Sequence, residues 1–258
     1  MKLNDILGAM ILFCVLAGCT VTEDRTKCPC LLTLDFSTID TLLVPHVDVL
    51  LTSESGTLGR LSLDADTFMP EYLLDVPRSE LMLNVYSCEN LDAFFDCGIK
   101  IPQGKDCPRI YMHSSKIMSH AEKLTERVIM LKNHCVMDIV MDGESEFKYW
   151  LYLKGNVCGY GLDGTPVEGP FEFRPSVVGY NTYQAVLPRQ IDSSLVLEID
   201  DGDGVVKKFA LGEHLLSCGY DWSAADLQDL EVHIDWRMTV ISVTVKEWNS
   251  RFEHEIIV

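Results

Sequence analysis

Residues 135–153, "CVMDIVMDGESEFKYWLYL", read as two strands with a break between them. "CVMDIVM" is a short apolar, alternating run, and "FKYWLYL" sets Phe147, Tyr149, Leu151 and Leu153 against Lys148, Trp150 and Tyr152. A period of two is the mark of an extended chain whose side chains point alternately to opposite faces. Gly143 and its acidic neighbours in "MDGESE" make the best candidate for a domain boundary. Both faces of "FKYWLYL" carry aromatic residues, so this strand is expected to be central and covered on both sides. The sharper reading of the same rings is an aromatic platform for a sugar.

The same period extends outward in both directions. "LLTLDF" puts Leu32, Leu34 and Phe36 on one side, and "HVDVLLT", "TLGRLSL", "ELMLNVYS" and "ERVIML" follow. Beyond the break come "FEFR", "YQAVL", "LVLEI", "VVKKFAL", "EVHID" and "TVISVTV". These are runs of about four to eight residues punctuated by Gly, Pro, Ser and Asp, which is an all-β pattern. One stretch, "SSKIMSHAEKL" at Ser114–Leu124, is expected to form a short helical connection. No repeat at fixed period is present, so solenoids are disfavoured. The expectation is two β domains with short helical connections, residues 30–143 and 144–258.

The N-terminus is of another kind. The apolar run Ile6–Gly18 has 13 residues, short of the ~20 that a membrane-spanning helix needs. Its length suits a secretory signal, and it closes on Leu16-Ala17-Gly18-Cys19. That ending resembles the lipobox of bacterial lipoproteins, which implies a leader of residues 1–18, acylation of Cys19 and a lipidated tether over residues 19–29. One acyl chain holds a protein marginally, whereas several on one residue hold it durably. The pair Glu23-Asp24 resembles a surface-export signal, which implies an outer-membrane, surface-exposed location.

Composition narrows the partners. The 258 residues are 47% hydrophobic, ample for two cores, and carry 21 Lys+Arg against 39 Asp+Glu, a net −18. Such a charge repels phosphate backbones, so no nucleic-acid partner is expected, and membrane contact should come from the lipid rather than a basic face. Of ten cysteines, Cys14 leaves with the leader and Cys19 is acylated. The rest, in an oxidising space, are expected to pair in part. Cys28 or Cys30 is expected to reach Cys107 or Cys135, and Cys88 and Cys97 could close a local loop.

Chemistry is sparse. No nucleophile elbow, zinc-protease motif, phosphate loop or dinucleotide fingerprint occurs, so no catalytic residue is assigned. Metal spacing is missing among the histidines and cysteines, and no cofactor is expected. "NHC" at Asn133–Cys135 puts a histidine beside a cysteine, but neighbours on a strand face opposite ways. "LEIDDGDGVVKKF" tempts with calcium, yet the twelfth position from Asp201 is Gly212 where the loop needs a glutamate, so a hairpin turn is the simpler account.

The most specific segment is "GYDWSAADLQDLEVHIDWRMTVISVTVKEW", Gly219–Trp248. Ser223 can cap a short helix running to about Leu230, with Asp226 favoured at its positive end. A hairpin then follows, from Val232 and Ile234 through "DWRM" to Val240–Val245. Gly219, Tyr220, Asp221, Trp222, Asp226, Leu227, Asp229 and Trp248 resemble the C-terminal signature of the fimbrillin-A-associated anchor proteins. These are the FimB-like accessory subunits of type V fimbriae. "LPRQ" at Leu187–Gln190, and a lipobox followed by Cys-Pro and a Leu-x-Leu-x-Phe strand, fit the same family.

That resemblance implies two tandem transthyretin-like β-sandwiches, tethered by lipid in the outer membrane at the fibre base. Its partner would be a fimbrial stalk subunit joined by strand exchange, in which an added strand gains affinity from backbone hydrogen bonds. A retained first strand, Cys30–Phe36 with Leu32, Leu34 and Phe36, would leave no vacant groove. The candidate donor strand is terminal and alternating: Phe252, His254, Ile256 and Val258. An ordinary last strand packed at home is the bland reading of that segment. Two other classes stay open: a surface lipoprotein that binds glycan or host protein, favoured by exposure of Trp150, Tyr160 and Trp236, and an enzyme assembled from distant residues.

Overall fold

Alternation is carried through into structure. The computed structural model describes residues 28–88, 94–95, 98–143, 150–200, 202–235, 240–246 and 251–256. Along the chain run β1 (Cys30–Asp35), β2 (His46–Ser53), β3 (Gly56–Asp64), β4 (Glu71–Val76), β5 (Glu80–Cys88), β6 (Phe94–Phe95), β7 (Gly98–Lys100), β8 (Ile110–Met118), β9 (Lys123–Arg127), β10 (Leu131–Lys132) and β11 (His134–Asp142). They continue as β12 (Trp150–Tyr160), β13 (Pro166–Phe173), β14 (Ser176–Gly179), β15 (Thr182–Pro188), β16 (Val196–Asp200), β17 (Val206–Phe209), β18 (Asp229–Asp235), β19 (Val240–Lys246) and β20 (Arg251–Ile256). Among the described residues two short helices, α1 (Ala65–Phe68) and α2 (Leu211–Ser217), sit in connections. The fold is all-β and sandwich-like.

Four sheets enclose two cores. The order β4-β1-β9 faces the order β10-β8-β5-β2-β3 across Leu32, Leu34, Val47, Val49, Leu83 and Val85. In the C-terminal half, β14-β15-β11-β18-β19-β20 faces β17-β16-β12-β7-β6 across Met137, Ile139, Leu151, Leu153, Leu197 and Val232. In β2 the residues Val49 and Leu51 enter the first core while Leu50 enters the second, together with Tyr86, Ile110 and Met112. A strand covered on both faces need not alternate, which is why "VDVLL" reads as almost continuously apolar. The Tyr86 hydroxyl fastens the two halves by donating to the Leu162 carbonyl.

Three expectations are corrected. Gly143 follows a strand of the C-terminal sheet: β11 pairs antiparallel with β15 and parallel with β18, so residues 134–142 belong by pairing to that half. The stretch 114–124 is not helical but the end of β8, a turn and the start of β9. Ser114 and Lys116 lie on the exposed face of a strand that pairs with β5 from Glu80↔Met118 to Cys88↔Ile110, while Ile117 and Ser119 are buried. The helix expected after Ser223 is a series of turns. Asp221 Oδ1 accepts from both the Ser223 N–H (2.8 Å) and its hydroxyl (2.6 Å), which takes the serine out of the capping role. The helix lies earlier in the chain, at α2 (Leu211–Ser217), with Leu211 and Leu215 four apart and buried. It ends in a Schellman arrangement: Gly219 is left-handed at φ +83°, its N–H donates to Leu216 O, and the Tyr220 N–H donates to Leu215 O.

Candidate functional site

The first strand is held from both sides. β1 pairs antiparallel with β4 (Leu32↔Leu74) and parallel with β9 (Leu32↔Leu124), so its backbone groups meet partners along both edges. Its inward residues Cys30, Leu32 and Leu34, and Phe36 just beyond, are fully buried. Phe36 closes that row against Phe68 of α1, ring centroids 4.8 Å apart. Among the described residues both sheet positions beside this strand are occupied, by β4 and by β9. Cys19 itself, with the leader, lies outside the described residues.

The last strand occupies an edge. β20 pairs with β19 from Ile241↔Ile256 to Lys246↔Arg251 and, among the described residues, carries no strand on its other side. An edge strand presents a free row of backbone donors and acceptors, the geometry from which a strand can be extended or exchanged. Phe252, His254 and Ile256 are placed on this edge, and Val258 lies outside the described residues.

The motifs that marked the sequence meet at the crossing between the halves. Residues 131–136 carry the chain from β10 of the first sheet pair into β11 of the second. Arg189, from "LPRQ", donates from Nε and Nη2 to Asn133 Oδ1 (3.3 and 3.2 Å), and also reaches the carbonyls of Ala224 (2.7 Å), Ala225 (3.2 Å) and Trp222. The Tyr160 hydroxyl donates to Asn133 O and accepts from Arg189 N at 2.7 Å. From the tail, Asp226 Oδ1 accepts from Lys132 N (2.7 Å), while Asp229 Oδ1 takes both Val136 N (2.7 Å) and Lys132 Nζ (2.5 Å). Tyr220 and Trp222 pack edge-on at 4.7 Å, both buried. These residues therefore build the joint. The same carbonyls that a helix at 223–230 would have used internally are spent on the Arg189 guanidinium.

Sequence reasoning placed Arg189 in a motif without a role and missed His134. His134 is 1% exposed, and its Nδ1 lies 3.0 Å from both the backbone N and O of Ile110. Burial is the main cause that lowers its pKa to about 4. A histidine free in the unfolded chain titrates near 6.5, so the imidazole is neutral when folded and its contribution is complete above that pH. As pH falls from ~6.5 to ~4 the unfolded state takes up a proton that the folded state refuses, at a cost of about 3 kcal/mol in all. Urea midpoints at pH 7 and pH 4.5 should therefore converge in His134→Gln relative to the parent. An equal acid drop in both proteins would contradict this role.

Among the described residues no disulfide joins the cysteines. Cys28, Cys30, Cys107, Cys135, Cys158 and Cys218 form no disulfide with one another, and Cys97, the expected partner of Cys88, lies outside the described residues. Cys30 belongs to the first core while Cys107 and Cys135 belong to the second, which rules the proposed bridge from Cys30 out on placement. Burial pushes the Cys107 thiol well up and that of Cys135 up to about 12, so both are protonated and unreactive at neutral pH. His134 and Cys135 take opposite faces: Cys135 is part of the core, and His134 turns to Ile110.

The remaining aromatic expectations divide. Leu151 and Leu153 are buried, but Trp150 on the other face is 46% exposed and Tyr152 is half-buried, so this strand is covered on one side only. Tyr160 is buried, and Phe147, Tyr149 and Trp236 lie outside the described residues. β16 and β17 form a hairpin that closes at Asp200↔Val206, with Gly202 and Gly204 left-handed at φ +81° and +92°, and Asp201 lies outside the described residues.

No family model matches the chain, and no curated protein matches it. Solved structures do. A DUF1812 protein of Bacteroides thetaiotaomicron described as polysaccharide-binding superposes with a TM-score of 0.68 at 12% identity, over 88% of this chain and 98% of its own. A protein of Bacteroides ovatus described as an adhesin gives 0.63 at 12% identity, over 91% and 98%. The fimbrial anchor protein Mfa2 of Porphyromonas gingivalis gives 0.58 at 13% identity, over 88% and 99%. What is shared at these identities is the fold, along nearly the whole of each chain.

Proposed function

We propose that this chain is an outer-membrane lipoprotein, tethered through Cys19, that serves as an anchor or accessory subunit of a type V fimbria. The observation that carries the reading is the first strand. β1 is paired on both edges and its inward residues are fully buried, so the groove that strand exchange would fill is already filled by the chain itself. A subunit closed in this way cannot accept a further strand there, and growth of a fibre ends at it. The short polar stretch before the strand leads directly to the acylated residue, which sets the closed unit at the membrane. Sharing a fold with a fimbrial anchor protein and with a protein described as an adhesin supports this role, as do the signature residues that build the joint.

In this reading the stalk subunit is the protein partner, and the edge strand Arg251–Ile256 with the residues after it is the candidate donor. The domains are the two sandwiches, and the role is mechanical and non-enzymatic. Palmitate labelling of cells expressing the chain should mark it at Cys19, and Cys19→Ala should abolish the label and release the protein from the outer-membrane fraction. Undiminished labelling of the variant would refute the tether.

A further inference from the structure

On the solvent face of the sheet β17-β16-β12, two rings stand on one strand. Trp150 and Tyr152 are two residues apart on the outward side of β12, which separates them by about 7 Å along the strand. Trp150 is 46% exposed, and its ring is steadied by Arg174, whose guanidinium carbon lies 5.1 Å from the ring centroid. Around the rings runs a band of ion pairs: Lys154–Glu198 at 2.7 Å, Lys208–Glu198 at 2.7 Å and Lys154–Glu172 at 3.5 Å. Arg174, Lys154 and Lys208 stand here beside Glu172, Glu198 and Asp200, so this face is balanced on a chain whose net charge is −18.

We infer that this face binds a neutral polysaccharide. A pyranose has an apolar face of C–H groups, which an exposed aromatic ring covers favourably, and a rim of hydroxyls that both donate and accept. Two rings on one strand receive two places along a chain of sugars. Lys154 and Glu198 then meet the hydroxyls as donor and acceptor without losing their hydrogen bonding. A protein partner fits less well, because Trp and Arg suit the heart of a protein interface but Lys and Glu are depleted there and are costly to desolvate. An anionic polymer is disfavoured by the total charge. The site is distinct from the first strand, the last strand and the joint, and it stands independently of the fimbrial role.

The test is affinity electrophoresis of the mature chain in native gels cast with yeast mannan, dextran or xylan, with alginate as the anionic contrast. The expected result is retarded migration in at least one neutral gel and none in alginate, with retardation reduced at least fivefold in Trp150→Ala and in Tyr152→Ala. Trp150 is 46% exposed, so thermal melting of Trp150→Ala should be unchanged, and Tyr152→Ala, at a half-buried position, counts only where its melting shows that it is folded in the gel. Trp150→Phe keeps a ring and should retain part of the retardation, which separates stacking from any loss of fold. Absence of retardation in all three neutral gels, or retardation that survives both alanine variants, overturns the proposal. So does loss of binding to another fimbrial subunit by variants whose migration in every glycan gel is unaltered, which would assign the face to a protein.

Discussion

Phe36→Ala is expected to lose about 4 kcal/mol of stability, the range for a fully buried phenylalanine whose surroundings collapse only in part. The ring is fully buried and packs on Phe68, which itself belongs to the one-turn helix α1. So short a helix has no stability of its own and depends on this packing. The substitution therefore acts on β1 and on the connection between β3 and β4 together. Urea unfolding followed by circular dichroism should show the midpoint moving down at unchanged slope. Amide exchange should show β1, β4 and β9 opening together, ahead of the C-terminal sheets. A loss below about 1 kcal/mol would mean that β1 is a loosely added strand, and the closed groove would no longer follow.

Arg189→Ala is the second large effect, expected at about 3 kcal/mol. The guanidinium supplies the Asn133 side-chain oxygen and the carbonyls of Trp222, Ala224 and Ala225 with donors. Its removal leaves several partly buried acceptors unsatisfied at once, and hydrogen bonds to charged groups are the stronger kind. Arg189→Lys should recover less than half of the loss, because one ammonium cannot match a planar fork aimed at several acceptors. The direct comparison of the three proteins by urea midpoint decides it. If lysine restored full stability, the joint would need only a charge, not this geometry.

Much of the fold was legible in the sequence, because alternation is a local signal. "LLTLDF" reported which residues face a core: Leu32, Leu34 and Phe36 are all fully buried. The misreadings have physical causes that are not local. Ser114–Leu124 looked helical through its polar composition, and only pairing with β5 shows that Ser114 and Lys116 stand on the outer face of a strand. Ser223 had the right spacing for a cap, but Asp221 holds it and Arg189, 34 residues upstream of Ser223, takes the carbonyls. The assignment of β11 to the C-terminal half depends on strands that lie up to a hundred residues away in the sequence. The motif residues were legible as a pattern but not as a joint, since Asp226, Asp229 and Arg189 acquire their role only where Lys132 and Asn133 pass. The exposed Trp150 was missed as such because nothing in seven alternating residues says which face another element covers.

The central claim, a closed and tethered subunit at the base of a fimbria, is tested most directly by the distribution of fibres between cells and medium. A strain lacking this gene should shed its fimbriae into the medium. The full chain should restore them to the cell surface, and a chain ending at Arg251, without the candidate donor residues, should not. Fimbriae that remain attached, in normal number and length, to cells without the gene would contradict the account.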